Sequence, residues 1–297
     1  MKTFINDIVM FSNSGDSRIT ADFLRKDVFI ENLDGQSSLK GRGFRQIPRI
    51  YKIFHVVVSE IIEKNNLYRN VSRIGLISAY EYANLDSNID FENEILKYGV
   101  SMVNPIKAPF TVCNSCAGWL AIKHKIQNLN LTVSSGRTSL ISAMKIANDC
   151  LKAEEIDYCI ILSANLNQGG SRQIESPKSF MKSEFATAIL MSKIPELERI
   201  CEVEEIFVNG FIENDEIGFY LQSLLDGQEH TRFIFDGNNN AESLMNAVDS
   251  QLSNREQCSY LPVFLQEMKL ETNNEMTNIS YIIYDKIGSI GGLKIRC

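Results

Sequence analysis

At 297 residues, with 44% hydrophobic and 23% charged positions, the chain can bury a full core and is neither disordered nor fibrous. Thirty Lys plus Arg stand against 37 Asp plus Glu, a formal charge of -7, so no global basic field exists to hold nucleic acid or an anionic membrane. Asp7 interrupts the early apolar run and no charge-free stretch of about 18 residues occurs, so neither a signal peptide nor a membrane span is expected. The seven cysteines, odd in number and mostly among apolar neighbours, read as reduced cytoplasmic thiols.

In chain order, Phe4 to Phe11 reads as a strand. Residues 44 to 64 carry Ile47, Ile50, Ile53, Phe54, Val57, Val58, Ile61 and Ile62 at helical spacing and form a long amphipathic helix. Arg73 to Ser78 is a short apolar strand, Asp86 to Tyr98 a helix closed by Gly99, and Ser115 to Gln127 another helix. Leu129 to Ser134 is a strand that stops at Ser134-Ser135-Gly136, and Arg137 to Lys152 follows as a helix rich in small residues. Buried strands are expected at Tyr158 to Ser163, Ala186 to Ser192 and Ile200 to Val208. After a polar loop, Asn209 to Ile217, come a strand at Arg232 to Phe235, a helix at Ala241 to Leu252, and closing strands at Ile279 to Tyr284 and Leu293 to Arg296. Strands interleaved with helices of this length indicate an α/β fold of layered sheets.

Chemistry-bearing residues are few. His55 lies in an apolar helical stretch and reads as packed or surface-exposed, His124 sits between two lysines on a charged face, and His230 falls in a polar loop. None of these contexts suits a catalytic base. Cys113-Asn-Ser-Cys116 lacks the second ligand pair a zinc site requires and reads as two core thiols. Gly288-Ser-Ile-Gly291-Gly292 precedes a strand rather than opening a helix, so it reads as a turn and not a phosphate cradle. No metal or cofactor is expected.

A run of segments from Gly75-Leu-Ile-Ser through Pro109-Phe-Thr-Val-Cys-Asn-Ser-Cys-Ala-Gly-Trp119, Leu131-Thr-Val-Ser-Ser-Gly-Arg137 and Asp157-Tyr-Cys-Ile-Ile-Leu-Ser-Ala164 resembles the N-terminal half of β-ketoacyl-ACP synthases of the thiolase superfamily. The resemblance implies a layered αβαβα fold with a truncated second half, divided into a ketosynthase-like unit over 1–208 and a shortened thiolase-like unit over 209–297. It also implies a sharp turn that presents a nucleophilic cysteine at the N-terminus of a buried helix, where the dipole lowers the thiol pKa and backbone N–H groups hold an oxyanion. Here Arg137 stands in that cysteine's place, and a guanidinium has no nucleophilic form. Phe233-Ile-Phe-Asp-Gly resembles the family's first histidine element with Asp236 replacing the histidine, and the second element is not recognisable between Tyr260 and Asn278.

The resemblance therefore implies no catalytic residues, with Arg137 and Asp236 as degenerate positions, and a role as a chain-length factor. Such a subunit pairs with an active ketosynthase in a heterodimer and acts on chains carried by an acyl carrier protein in type II polyketide synthesis. The tunnel-closing helix matches Leu85-Asp-Ser-Asn-Ile-Asp-Phe-Glu92, so Leu85, Asn88, Ile89 and Glu92 would bound the growing chain. The partner would dock on Pro109, Phe110, Asn114, Trp119 and the strand residues Leu131, Thr132, Val133 and Ser134. Arg137, a cation opposing the helix dipole, would fill the vestigial pocket. Aryl-polyene or fatty-acid-type synthesis and a purely structural, partner-stabilising subunit are the alternatives. No nucleic acid, no membrane and a cytoplasmic location complete the expectation.

Overall fold

Continuous burial, rather than alternation, marks the inner strands of the computed structural model. Ile74–Ala79 and Phe185–Ser192 are buried at every position, as strands covered on both faces must be. The structure describes residues 1–12, 29–31, 33, 36–40, 42–80, 84–166, 184–195, 197–210, 231–236, 261–270, 278–284 and 289–297. The elements are β1 (Thr3–Phe11), α1 (Arg49–Lys64), β2 (Ile74–Ala79), α2 (Leu85–Tyr98), α3 (Ser115–His124), β3 (Asn130–Val133), α4 (Ser139–Lys152), β4 (Tyr158–Asn165), β5 (Phe185–Ser192), β6 (Cys201–Asn209), β7 (Thr231–Asp236), α5 (Leu261–Leu270), β8 (Asn278–Tyr284) and β9 (Ile290–Arg296).

The nine described strands follow the order β3-β2-β4-β5-β1-β6-β9-β8-β7, and that order contains a repeat. In the first half β2 runs parallel to β4, and β5 is antiparallel to both β4 and β1. In the second half β7 runs parallel to β8, and β9 is antiparallel to both β8 and β6. The halves meet where Thr3 to Ile5 of β1 pair with β6. By this topology β6, which the sequence division put at the end of the first unit, opens the second.

The helix α4 explains why the halves belong together. It packs on β2, β3 and β4 of the first half and also on β6 and β9 of the second, so the sheet curls around it. One apolar core runs through this central layer, from Ile77 and Ile161 through Leu140, Ile141 and Met144 to Val203, Tyr281 and Leu293, with Leu261 to Leu265 of α5 alongside. A second core lies on the opposite face of the first half, where α1 and α3 pack Phe54, Val57, Ile61, Cys116 and Leu120 on Leu76, Ile160 and Leu190. The layered α/β architecture expected from the sequence is thus present.

Two polar anchors hold the layers. Asp7, beside a bulge in β1, is buried and receives Lys269 at 2.6 Å, Lys64 at 2.9 Å and Asn65 at 3.0 Å, which satisfies a carboxylate that would otherwise be costly there. Glu184, also buried, takes both guanidinium nitrogens of Arg49 and the Ile30 N–H, and so fixes the segment before α1 to the start of β5.

Several boundaries differ from the sequence reading for local reasons. The helix expected from residue 44 begins at Arg49, because Pro48 precedes it as its cap and Arg42–Phe44 is a separate 3-10 turn. The helix from Ser115 stops at His124, where Lys125 takes a left-handed φ of 59°. Gly291 and Gly292, expected in a turn, are residues of β9. A Cβ at Gly291 would lie 3.1 Å from Ile141 Cγ2, and one at Gly292 would lie 2.3 Å from the Phe207 ring. The glycines admit α4 on one side and an aromatic ring from β6 on the other. The helix α5 was not anticipated, and the helix expected at 241–252 lies outside the described residues.

Candidate functional site

The turn from β3 into α4 is braced almost entirely by hydroxyls. Gly136 takes a left-handed φ of 59°, a conformation that favours glycine. Ser139 Oγ donates to Tyr80 O at 2.7 Å and receives the Ser135 N–H at 2.8 Å. Thr138 Oγ1 donates to Ser135 O at 2.9 Å, and the Ser135 and Ser142 hydroxyls meet at 3.2 Å. This is the strand, sharp turn and buried helix that the resemblance implies, with Arg137 at its tip.

Arg137 is half-buried with its Nη1 shut off from solvent. The helix expected to start at Arg137 starts instead at Ser139 with Thr138 as its cap, so the cation stands before the first turn, where the dipole acts most strongly. Cys150 lies in the last turn of α4, and burial raises its pKa, so it cannot serve the turn.

The backbone brings Asp236 to the same end of the central layer. Ile141, in the first turn of α4, packs on Gly291; Gly291 pairs with Ile283 across β8, and Ile283 pairs with Asp236 at the end of β7. Asp236 is therefore two strands, on the order of 10 Å, from the point where the helix below Arg137 meets the sheet.

The described histidines are elsewhere. His55 and His124 form a pair, Nδ1 to Nε2 at 2.9 Å, and His55 Nε2 lies 3.1 Å from Ser38 O. The rings of Phe44 and Trp119 pack on the His55 ring and on each other. Burial pushes both pKa values down, His124 to about 3 with help from His55 and Lys123. His124 is thus not the solvated residue that its lysine neighbours suggest. The pair sits with α1 and α3 on the outer face of the first half, across the sheet from α4. His230 lies outside the described residues.

The proposed tunnel helix α2 has no buried residue. Leu85, Asn88 and Ile89 are half-buried and Glu92 is exposed. The buried Asn84 fixes its start by donating to Phe110 O at 2.9 Å and to Val112 O, and Lys107 meets Glu94 at 2.6 Å. Of the eleven large hydrophobic residues exposed among the described ones, eight fall between positions 96 and 131: Leu96, Tyr98, Val100, Met102, Ile106, Val112, Ile122 and Leu131. Their signal was visible in the sequence, since Val100-Ser-Met-Val-Asn-Pro-Ile is apolar without the period of a helix or strand that would bury it.

The strand β3 lies at the outer edge of the sheet, paired with β2 alone among the described residues. Leu131 and Ser134 face solvent, Thr132 and Val133 are half-buried, and Asn130 Nδ2 donates to Ala117 O at 3.0 Å, tying the edge to α3. Pro109 and Asn114 are exposed beside it, while Phe110 turns an edge to Tyr51 and Trp119 packs on Phe44, Tyr51 and His55. Of the CxxC thiols, Cys116 is in the core but Cys113 is exposed, so they are not two core thiols. No group of three or more His, Cys, Asp or Glu among the described residues could hold a metal ion.

No family model and no curated protein matches this sequence. Solved structures do match from end to end. A chain of the ishigamide ketosynthase/chain length factor superposes with a TM-score of 0.74 at 14% identity, covering 100% of this chain and 99% of that one. A chain of AntDE:AntF, a type II PKS acyl-carrier protein in complex with its ketosynthase, gives 0.77 at 12% identity over 100% and 99%. A β-ketoacyl synthase from Burkholderia phymatum gives 0.73 at 10% identity over 99% of each chain. The chain has the thiolase-like fold of the ketosynthases. Within it, the structural likeness extends to a ketosynthase/chain length factor over the full length of both chains.

Proposed function

We propose that this chain is a non-catalytic chain-length factor that pairs with a cysteine-bearing ketosynthase and bounds the tunnel for poly-β-ketone chains carried by an acyl carrier protein in type II polyketide synthesis. The observation that carries the reading is Arg137 at the tip of the turn into the central helix, where the resemblance puts the nucleophile. A cation there cannot accept an acyl group, and the paired His55 and His124 are on the wrong side of the sheet to promote decarboxylation. Arg137 fills the vestigial pocket, and Asp236, a carboxylate at the same end of the layer, would repel an enolate. The two units are a ketosynthase-like half and a shortened thiolase-like half, with β6 belonging to the second, and the complex is cytoplasmic; no described helix is long and apolar enough to cross a membrane.

The partner docks on the edge of β3 and the elements beside it. An exposed edge with this apolar content invites pairing or aggregation, and a 14-residue helix with no buried face gains little of the tertiary packing that normally stabilises helices. Both are satisfied by a second subunit that continues the sheet beyond Leu131 and covers α2. Leu85, Asn88, Ile89 and Glu92 then close the tunnel, with polar groups available to the chain's carbonyls. The test is co-expression with a ketosynthase encoded beside it and mass analysis of the carrier-bound chains. Replacing Asn88 or Glu92 by Trp should shorten those chains while the complex still purifies. An unchanged product from an intact complex would refute the tunnel assignment and leave a structural subunit.

A further inference from the structure

The cysteines not absorbed by this reading include a cross-strand pair. The register of β6 against β9 sets Glu202 opposite Arg296, and continuing it by one residue sets Cys201 opposite Cys297. Glu202 and Arg296 meet at 3.2 Å on the outward face. Side chains alternate along a strand, so the two cysteines share the inward face. Cys201 is buried in the central core, and Cys297 packs against that core while remaining half-exposed. Opposed residues have Cβ atoms about 4.5–5.5 Å apart, within a small adjustment of the ~3.5–4.5 Å a disulfide requires. Cys201 also pairs with Ile5 of β1, so it stands at the seam where the two halves of the sheet join.

We propose that Cys201 and Cys297 form a redox-responsive thiol pair that oxidises to a disulfide clamping the end of β9 to the seam between the halves. The oxidant is a small disulfide of the oxidised-glutathione type. The accessible Cys297 thiolate attacks it, breaking its S–S bond, releasing one glutathione thiol and leaving a mixed disulfide on Cys297. Cys201 then loses its proton and attacks the Cys297 sulfur, expelling the second glutathione. Two thiols give up two protons and two electrons, and the reagent is reduced to two thiols. Burial, and then the neighbouring Cys297 thiol, hold the Cys201 pKa well above the ordinary value, so Cys201 is the poorer first nucleophile and acts in the second, proximity-driven step.

The test is incubation of the full chain with oxidised glutathione, followed by intact mass and peptide mapping without reductant. The expected product is about 2 Da lighter, yields a linked peptide pair containing Cys201 and Cys297, and melts about 5 °C or more above the reduced form. The Cys297→Ser chain should keep Cys201 as a free thiol under the same treatment. A stable glutathione adduct at Cys297 without closure, two free thiols, or linkage of either cysteine to another would overturn the proposal.

Discussion

Ile141, in the first turn of the central helix, lies 3.1 Å from where a Cβ on Gly291 would stand, and that close approach joins the helix below Arg137 to the strand row ending at Asp236. The next glycine is tighter still, facing the Phe207 ring at 2.3 Å. Gly292→Val should therefore lower stability by about 1–3 kcal/mol through overpacking, read as a lower urea midpoint. Adding Phe207→Ala should return part of the loss, and additive losses in the double variant would contradict the contact.

The histidine pair predicts an acid-sensitive fold. Both imidazoles have pKa values held below 6.5 in the folded chain, His124 at about 3, so the unfolded state binds more protons as pH falls. Their contribution is fully present above about pH 6.5 and drains away below it, with a slope of at most about 1.4 kcal/mol per pH unit for each histidine. Urea midpoints measured from pH 7 to pH 5 should fall, and the fall should shrink in His55→Gln.

At Asp7, burial raises the carboxyl pKa, but hydrogen bonds from Lys269, Lys64 and Asn65 more than offset this and leave it below its usual value. Its stabilisation is present above the unfolded carboxyl pKa of about 3.9 and is lost as pH falls through the lower folded value. Asp7→Ala strands two lysines that still reach solvent in part. It should cost up to about 3 kcal/mol at pH 7, checked by denaturant unfolding.

The surface around the edge strand makes an opposite prediction for stability and assembly. Val100 and Met102 are 80% and 71% exposed, so the double variant Val100→Asp, Met102→Asp should leave the urea midpoint of the isolated chain within about 0.5 kcal/mol of the parent value. If the patch is the partner's seat, the same variant should reduce co-purification with the ketosynthase at least tenfold.

Most strands were legible as short apolar runs bounded by polar turns, β6 despite Glu202, Glu204 and Glu205, and the turn at Ser134-Ser135-Gly136 marked the start of the central helix to within two residues. The helix Leu261–Leu270 was not, because a helix buried at each of its first six positions carries no amphipathic period. Gly291 and Gly292 read as a turn because glycine is rare in strands; only Ile141 and Phe207, distant in sequence, explain them. The anchors at Asp7 and the His55–His124 pair likewise depend on partners 57 to 262 residues away. Such contacts leave no local pattern, and for that reason Asp7 looked like an interruption and His124 like a solvated residue.

The central claim is that the chain supplies no nucleophile and that the whole site, not one residue, has been dismantled. The most direct measurement is mass spectrometry of carrier-bound chains from the complex with the partner's nucleophilic cysteine removed, comparing the natural chain with Arg137→Cys. Neither complex should elongate a chain, because Asp236 and the distant His55–His124 pair leave decarboxylation unsupported even when a thiol is restored. Elongated chains from the Arg137→Cys complex would contradict the claim that the whole site is lost. Elongated chains from the natural chain would contradict the non-catalytic role itself.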